Sequence, residues 1–167
     1  MTPSHRPTDP HSQSPTHAHA HAQTNHTACP ICARISAMST AADPALIATL
    51  EHCHVVLHEQ QGLPGWCVLW LKDHHEHLGD LPIATQAAIF SEVAQVAMAV
   101  REVFKPRRIN YECLGNVTAH VHWHVIPRHH TDPEPRAPIW GWPKPQLDGN
   151  MPPEIRAKLI ANLQPAL

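Results

Sequence analysis

Apolar positions along this chain switch between two periods, and the switches divide it into elements. Residues 84–104 contain neither Gly nor Pro, and Ile89, Val93, Val96, Val100, Val103 and Phe104 recur at helical spacing, which predicts one long amphipathic helix. On its N-terminal side, 54–58 and 65–72 are short runs rich in Val, Leu and Trp, joined by Glu59-Gln60-Gln61-Gly62-Leu63-Pro64. Gly and Pro there are turn punctuation, so a β-hairpin is expected. On its C-terminal side, 108–113 alternates around Ile109 and Tyr111, Gly115 interrupts, and 119–127 resumes as an extended run, predicting a second hairpin. The six residues from Ala45 to Leu50 read as a short apolar helix. Segment 131–153, crowded with Pro, Gly and Trp, reads as irregular, and a short closing helix is expected over about 153–163.

Composition trims this picture at the ends. Residues 1–27 hold Pro, Ser, Thr, Gln and six histidines without periodic apolar positions, so they cannot bury enough surface to offset their ordering entropy and are expected to be a disordered tail. That tail is either a metal scavenger or an unselected polar extension. The remaining chain divides into a domain over 28–140 and an extension over 141–167 whose short helix packs on it. With 43% hydrophobic residues in 167, one core suffices. Twelve Lys and Arg against fourteen Asp and Glu give no basic face for long nucleic acid, while a small anionic ligand remains compatible. No apolar run is read as reaching the roughly 20 residues of a membrane span, and no signal-peptide stretch opens the chain, so a cytoplasmic protein is expected.

Candidate chemistry concentrates in two places. In an extended strand residues two apart share a face, so His120, His122 and His124 line up on one side while Val121, Trp123 and Val125 take the helix-covered side. Three imidazoles in strict alternation suit either metal coordination or nucleophilic and acid–base work, because imidazole titrates near neutral pH. Cys29-Pro30-Ile31-Cys32 has the spacing of half a tetrahedral zinc site, or of a redox pair, though no thioredoxin-like βαβ context follows it. Cys53, Cys67 and Cys113 fall in or beside the predicted strands and read as small buried residues. An odd total of five cysteines argues against a disulfide framework.

The run His120-Val121-His122-Trp123-His124-Val125-Ile126 resembles the signature of the histidine-triad (HIT) superfamily of nucleotide hydrolases and transferases, and its bacterial diadenosine polyphosphate hydrolase-like branch in particular. The likeness extends to CPIC, the long helix, Ile109-Asn110-Tyr111, Leu114-Gly115-Asn116 and Pro127-Arg128, covering roughly residues 29–140. It implies an α+β fold, with an antiparallel sheet of about five strands, one long helix and shorter ones against it, and pairing into a homodimer. Carried over by position, His122 is the nucleophile that takes a nucleotidyl group from the α-phosphate, His124 binds a phosphate oxygen and assists the leaving group, and His120 supports from behind. Asn116 and Thr118 occupy the phosphate-contacting loop, although Gly115-Asn116-Val117-Thr118 departs from the family's usual Gly-Gln-Ser/Thr type of sequence. Glu59 or His58 would hold the ribose. Some members bind structural zinc through ligands that correspond here to Cys29, Cys32, His120 and a histidine among His74, His75 and His77, with His74 favoured; no organic cofactor is implied.

The expected activity is hydrolysis of dinucleoside polyphosphates or nucleoside phosphoramidates through nucleotidyl-His122. A transferase or phosphorylase with the same intermediate, and a non-catalytic zinc-binding module, are the alternatives. Arg128, His129 and His130 read as a solvated exit loop, and Trp140 and Trp142 as residues that cover the fold or a dimer surface.

Overall fold

The computed structural model describes residues 28–167; the expected tail over 1–27 lies outside the described residues. A short helix α1 (Pro30–Ala37) precedes three strands, β1 (Leu46–Thr49), β2 (Cys53–Leu57) and β3 (Cys67–Leu71). The long helix α2 (Ile83–Phe104) follows, then β4 (Arg108–Glu112), β5 (His122–Arg128), a five-residue helix α3 (Lys144–Asp148) and α4 (Pro153–Leu163). The fold is α+β, with all five strands in one antiparallel sheet of order β1-β2-β3-β5-β4. Because α2 carries the chain past one strand position before β4 begins, β5 can enter between β3 and β4. The triad strand therefore lies inside the sheet, its backbone paired on both sides.

Both faces of the sheet are covered, which is why β3 is buried along its whole length. On one face Val55, Leu57, Leu69, Val121 and Val125 meet Ile89, Val93, Val96 and Val100 of α2, with Leu163 of α4 closing the end. The helical period of α2 and the two-residue period of the strands thus select one another. On the other face Val56, Val68 and Trp70 pack with Ile31 of α1, and Trp66 and Ile126 pack with Ile139, Trp142 and Leu147 of the C-terminal segment. After Phe104 the helix stops at Lys105, whose left-handed φ of 47° and following Pro106 end it.

Four expectations change. Residues 46–49 form edge strand β1, not a helix: six residues cannot offset helix nucleation, whereas pairing with β2 satisfies their backbone and buries Ile47. Segment 131–153 is not wholly irregular; Pro143 and Pro145 preset the first turn of α3, and Leu147 buries against the first hairpin. Gly62 makes that docking possible, since its N–H donates to the Leu147 carbonyl at 2.8 Å and a Cβ there would stand 1.7 Å from the Gln146 carbonyl oxygen. Cys53 and Cys67 are buried as expected, but Cys113 is exposed. Finally, α2 does reach membrane-spanning length and apolarity, with a mean hydropathy of 1.4, contrary to the reading above. Its buried face packs on the sheet as a core helix does, and it carries Glu92, whose carboxylate accepts the His52 N–H at 2.7 Å.

Candidate active site

Strand alternation places His122 and His124 on the sheet face opposite α2, in a recess of about 210 Å³ whose floor is Ile31, Val56, Val68 and Trp70. Their ring centroids are 5.2 Å apart. A backbone carbonyl only accepts, so the 2.6 Å contact between His122 Nδ1 and the His120 carbonyl fixes the proton on Nδ1 and leaves the Nε2 lone pair of neutral His122 unprotonated. Trp66 Nε1–H donates to His124 Nδ1 at 3.2 Å, and indole can only donate, so neutral His124 carries its proton on Nε2. Burial, reinforced by His122 and His58, lowers the pKa of His124 to about 3. The recess thus pairs a nucleophilic nitrogen on His122 with a neutral N–H donor on His124.

Trp66, fully buried, is held in turn by His58, which stacks on it with centroids 3.9 Å apart and planes 11° off parallel. Burial also lowers the His58 pKa. Trp140, reaching over from the C-terminal segment, sets its ring 5.2 Å from His124 and 5.8 Å from Trp66, and its indole N–H donates to Glu112. The aromatic frame of His124 therefore comes from three separate parts of the chain. Sequence reading found neither Trp66 nor Trp140 as a site residue.

His120 faces elsewhere. Its Nε2–H donates to the Leu71 carbonyl at 2.8 Å, which turns Nδ1 toward Cys29 and Cys32, each Sγ 3.5 Å away. His74 Nδ1 lies 3.3 Å from Cys32 Sγ, and one ligand atom from each of Cys29, Cys32, His74 and His120 falls within 4.8 Å of the others. Around a tetrahedral zinc, with Zn–S of about 2.3 Å and Zn–N of about 2.0–2.1 Å, sulfur and nitrogen stand about 3.6 Å apart. The donor set fits that ion in chemistry and spacing, and the Leu71 carbonyl is the outer partner that orients a ligating imidazole. Burial and the neighbouring Cys29 push the Cys32 thiol up to about 11, so its thiolate calls for a cation beside it. Of the three candidate histidines His74 joins the cluster, whereas His75 contributes its backbone carbonyl to the Val121 N–H at 2.7 Å.

The remaining sequence candidates are distributed unevenly. Glu59 and His58 line the same recess as His122 and His124. Thr118 lines a neighbouring pocket with Cys29 and His74, and Asn116 is exposed in the β4–β5 connection; neither lines the triad recess. Arg128 is not a solvated exit residue: it is 5% exposed, donates to Asp132 at 2.6 Å and to the Ala137 and Glu134 carbonyls, and covers Trp142. Arg34, from α1, also lines the recess and was not singled out in the sequence.

Comparison with known proteins agrees with this geometry. The family described as HIT domain matches residues 39–131, more than half of the chain. A histidine triad (HIT) protein from Sinorhizobium meliloti is similar in structure, with 28% identity, a TM-score of 0.67, and coverage of 73% of this chain and 88% of that one. A histidine triad protein from Marinobacter aquaeolei has 26% identity, a TM-score of 0.66 and coverage of 73% and 87%. A Zn-bound histidine triad family protein from Mycobacterium smegmatis shares the fold at 23% identity and a TM-score of 0.60, covering 85% and 94%. No curated protein matches significantly.

Proposed function

Starting from the fact that this chain belongs to the HIT domain family, we propose that it hydrolyses dinucleoside polyphosphates or nucleoside phosphoramidates at the α-phosphate through nucleotidyl-His122, as in the diadenosine polyphosphate hydrolase-like branch. The carrying observation is the His122 Nδ1–H bond to the His120 carbonyl, which leaves Nε2 nucleophilic in the same recess as His124. In the first half-reaction Nε2 of His122 forms a bond to the α-phosphorus, and the bond from phosphorus to the bridging oxygen or nitrogen breaks with its electron pair leaving on that atom. His124 Nε2–H donates to a phosphate oxygen and stabilises the charge that spreads over the equatorial oxygens. In the second half, water attacks the same phosphorus, releasing the nucleoside monophosphate and restoring His122. A leaving nitrogen takes a proton from solvent as its bond to phosphorus breaks, whereas a phosphate oxygen leaves as the anion; the proton that water gives up in the second half returns to solvent. Asn116 and Thr118 lie outside the recess that holds His122 and His124, so in this reading the phosphate contact falls to His124.

The apolar floor of Ile31, Val56, Val68 and Trp70 suits a base, and Glu59 at its rim offers acceptors for ribose hydroxyls. Zinc held by Cys29, Cys32, His74 and His120 would serve structurally, tying α1 to the residue whose carbonyl orients His122. The reading includes a homodimer, supported by the open edge of β4 with Tyr111 half-exposed on it, and a cytoplasmic setting, supported by unbridged cysteines among the described residues.

Intact-mass analysis of wild type and His122→Ala after brief mixing with diadenosine tetraphosphate or adenosine phosphoramidate tests the mechanism, with products followed by chromatography with and without inorganic phosphate. An adduct or released AMP in wild type alone is expected. Absence of both for every nucleotide offered would refute the nucleotidyl-histidine reading and leave the zinc-binding module. Capture of the nucleotidyl group by phosphate would make the enzyme a phosphorylase.

A further inference from the structure

The recess that contains His122 and His124 has one arginine in its lining, Arg34, beside the apolar floor. Its guanidinium is fixed before any ligand arrives. Nε–H and Nη2–H both donate to Asp43 Oδ2, at 3.1 and 2.8 Å, and Asp43 is pinned by accepting the Ala45 N–H at 2.8 Å on its other oxygen. The flat face of the group covers Trp70, with its central carbon 4.5 Å from the ring centroid. These contacts account for one edge and one face. The Nη1 edge lies 3.6 Å from Glu59 Oε1, beyond hydrogen-bond length, and Glu59 is itself largely exposed at the rim. Its N–H groups are therefore available to a ligand in the recess, beside the carboxylate read above as the ribose contact.

We infer that Arg34 selects the base: the recess prefers a 6-oxopurine, guanine or hypoxanthine, over adenine. This rests on the nucleotide-binding reading of the recess and adds the identity of the base to it. A guanidinium has donors and no acceptor. The O6 and N7 edge of guanine presents two acceptors to it, whereas adenine presents N7 beside an N6 amino donor. Adenine would thus set donor against donor; the acceptor nearest to Arg34, Glu59, is taken by the ribose in this reading, so the amino group goes unmatched, and an unmatched polar group out of water is costly. Because Asp43 and Trp70 already hold the guanidinium, little of the contact is lost to ordering the side chain on binding. The size of such a discrimination for an arginine facing a purine edge is about tenfold or more.

The test compares kcat/KM for guanosine, inosine and adenosine 5′-phosphoramidates on the full-length wild type, Arg34→Met and Arg34→Lys, and measures binding of GMP, IMP and AMP by calorimetry. Guanosine and inosine substrates are expected to exceed adenosine by at least about tenfold in wild type, with GMP and IMP binding tighter than AMP. Arg34→Met should bring the ratio close to one, and Arg34→Lys, which keeps a cation for Asp43 but replaces the fixed two-donor edge by a single ammonium, should lower it severalfold, so a folding defect in Arg34→Met would not obscure the result. Equal or adenosine-favouring wild-type ratios, an unchanged ratio in the variants, or inosine behaving like adenosine would overturn the inference while leaving nucleotidyl-His122 intact. Base-selective binding without any turnover would do the reverse, sustaining Arg34 as selector and removing the hydrolase reading.

Discussion

Acid should destabilise this protein through His124, by an amount the structure specifies. In the native state the ring is buried beside His122 and His58, with Nδ1 occupied by the Trp66 indole, and its pKa is lowered to about 3 from 6.5. Below pH 6.5 the unfolded chain therefore binds a proton at this residue that the native chain refuses. Stability contributed by neutral His124 is complete above that pH and is lost as pH falls toward 3. At about 1.4 kcal/mol per unit, the drop from pH 6.5 to 5.0 removes about 2 kcal/mol. Urea unfolding of wild type and His124→Gln at pH 7.5, 6.5, 5.5 and 5.0 reads this directly, because glutamine cannot titrate. His58 and His120, whose pKa values are also lowered, chiefly by burial, and the Cys–His cluster are common to both proteins, so they drop out of the comparison. Wild type should lose about 2 kcal/mol more than the variant across that interval. Parallel stability curves for the two proteins would refute the claim that His124 is held neutral.

Trp66→Phe removes the donor to His124 Nδ1 and leaves a buried acceptor unpaired; stability by urea titration should fall by about 1–3 kcal/mol and turnover by at least about tenfold. Metal analysis should find one zinc per chain more in wild type than in Cys29→Ser/Cys32→Ser, and a melting scan should place the variant about 6–12 °C lower, corresponding to a loss of about 3 kcal/mol. Arg128→Met strands a buried Asp132 and frees the carbonyls of Glu134 and Ala137, so a loss of about 3–5 kcal/mol and faster limited proteolysis within 131–142 are expected.

Elements whose burial follows a simple period were readable from the sequence. The long helix, the alternating strands of the second hairpin and the closing helix match the structure to within a few residues, because the pattern that identifies each is the same pattern that packs it, and β2 and β3, apolar runs without alternation, are marked by the Gly and Pro between them. Strand β1 was not readable as a strand: a short apolar run has no period of its own, and only pairing with β2 decides it. The frame around the triad was hidden for a related reason. Trp66 reaches His124 across 58 positions in sequence, and Arg34 reaches the recess from α1; both contacts exist because β5 inserts beside β3, an order no local pattern encodes. Thr118 shows the converse, since proximity in sequence to the triad places it against Cys29 and His74 instead of His122.

A two-residue repeat suggests three equivalent histidines, yet the hydrogen bonds divide them into different jobs. Assigned strand structure begins only at His122; at Val121 the backbone pairs irregularly, its N–H to the His75 carbonyl and its carbonyl to the Leu71 N–H. That irregular pairing brings His120 beside the Leu71 carbonyl, which takes its Nε2–H and sends Nδ1 to the thiols instead of the recess. His120 still acts on the recess, through its main chain: its carbonyl sets the tautomer of His122 at 2.6 Å. One residue thus offers its side chain to the Cys2His2 cluster and its backbone to the nucleophile. Replacing the imidazole of His120 removes a ligand but keeps that carbonyl, so disruption of the cluster can reach His122 only through movement of the strand. The path from cluster to nucleophile is mechanical, one peptide unit long, and does not require His120 and His122 to exchange a proton.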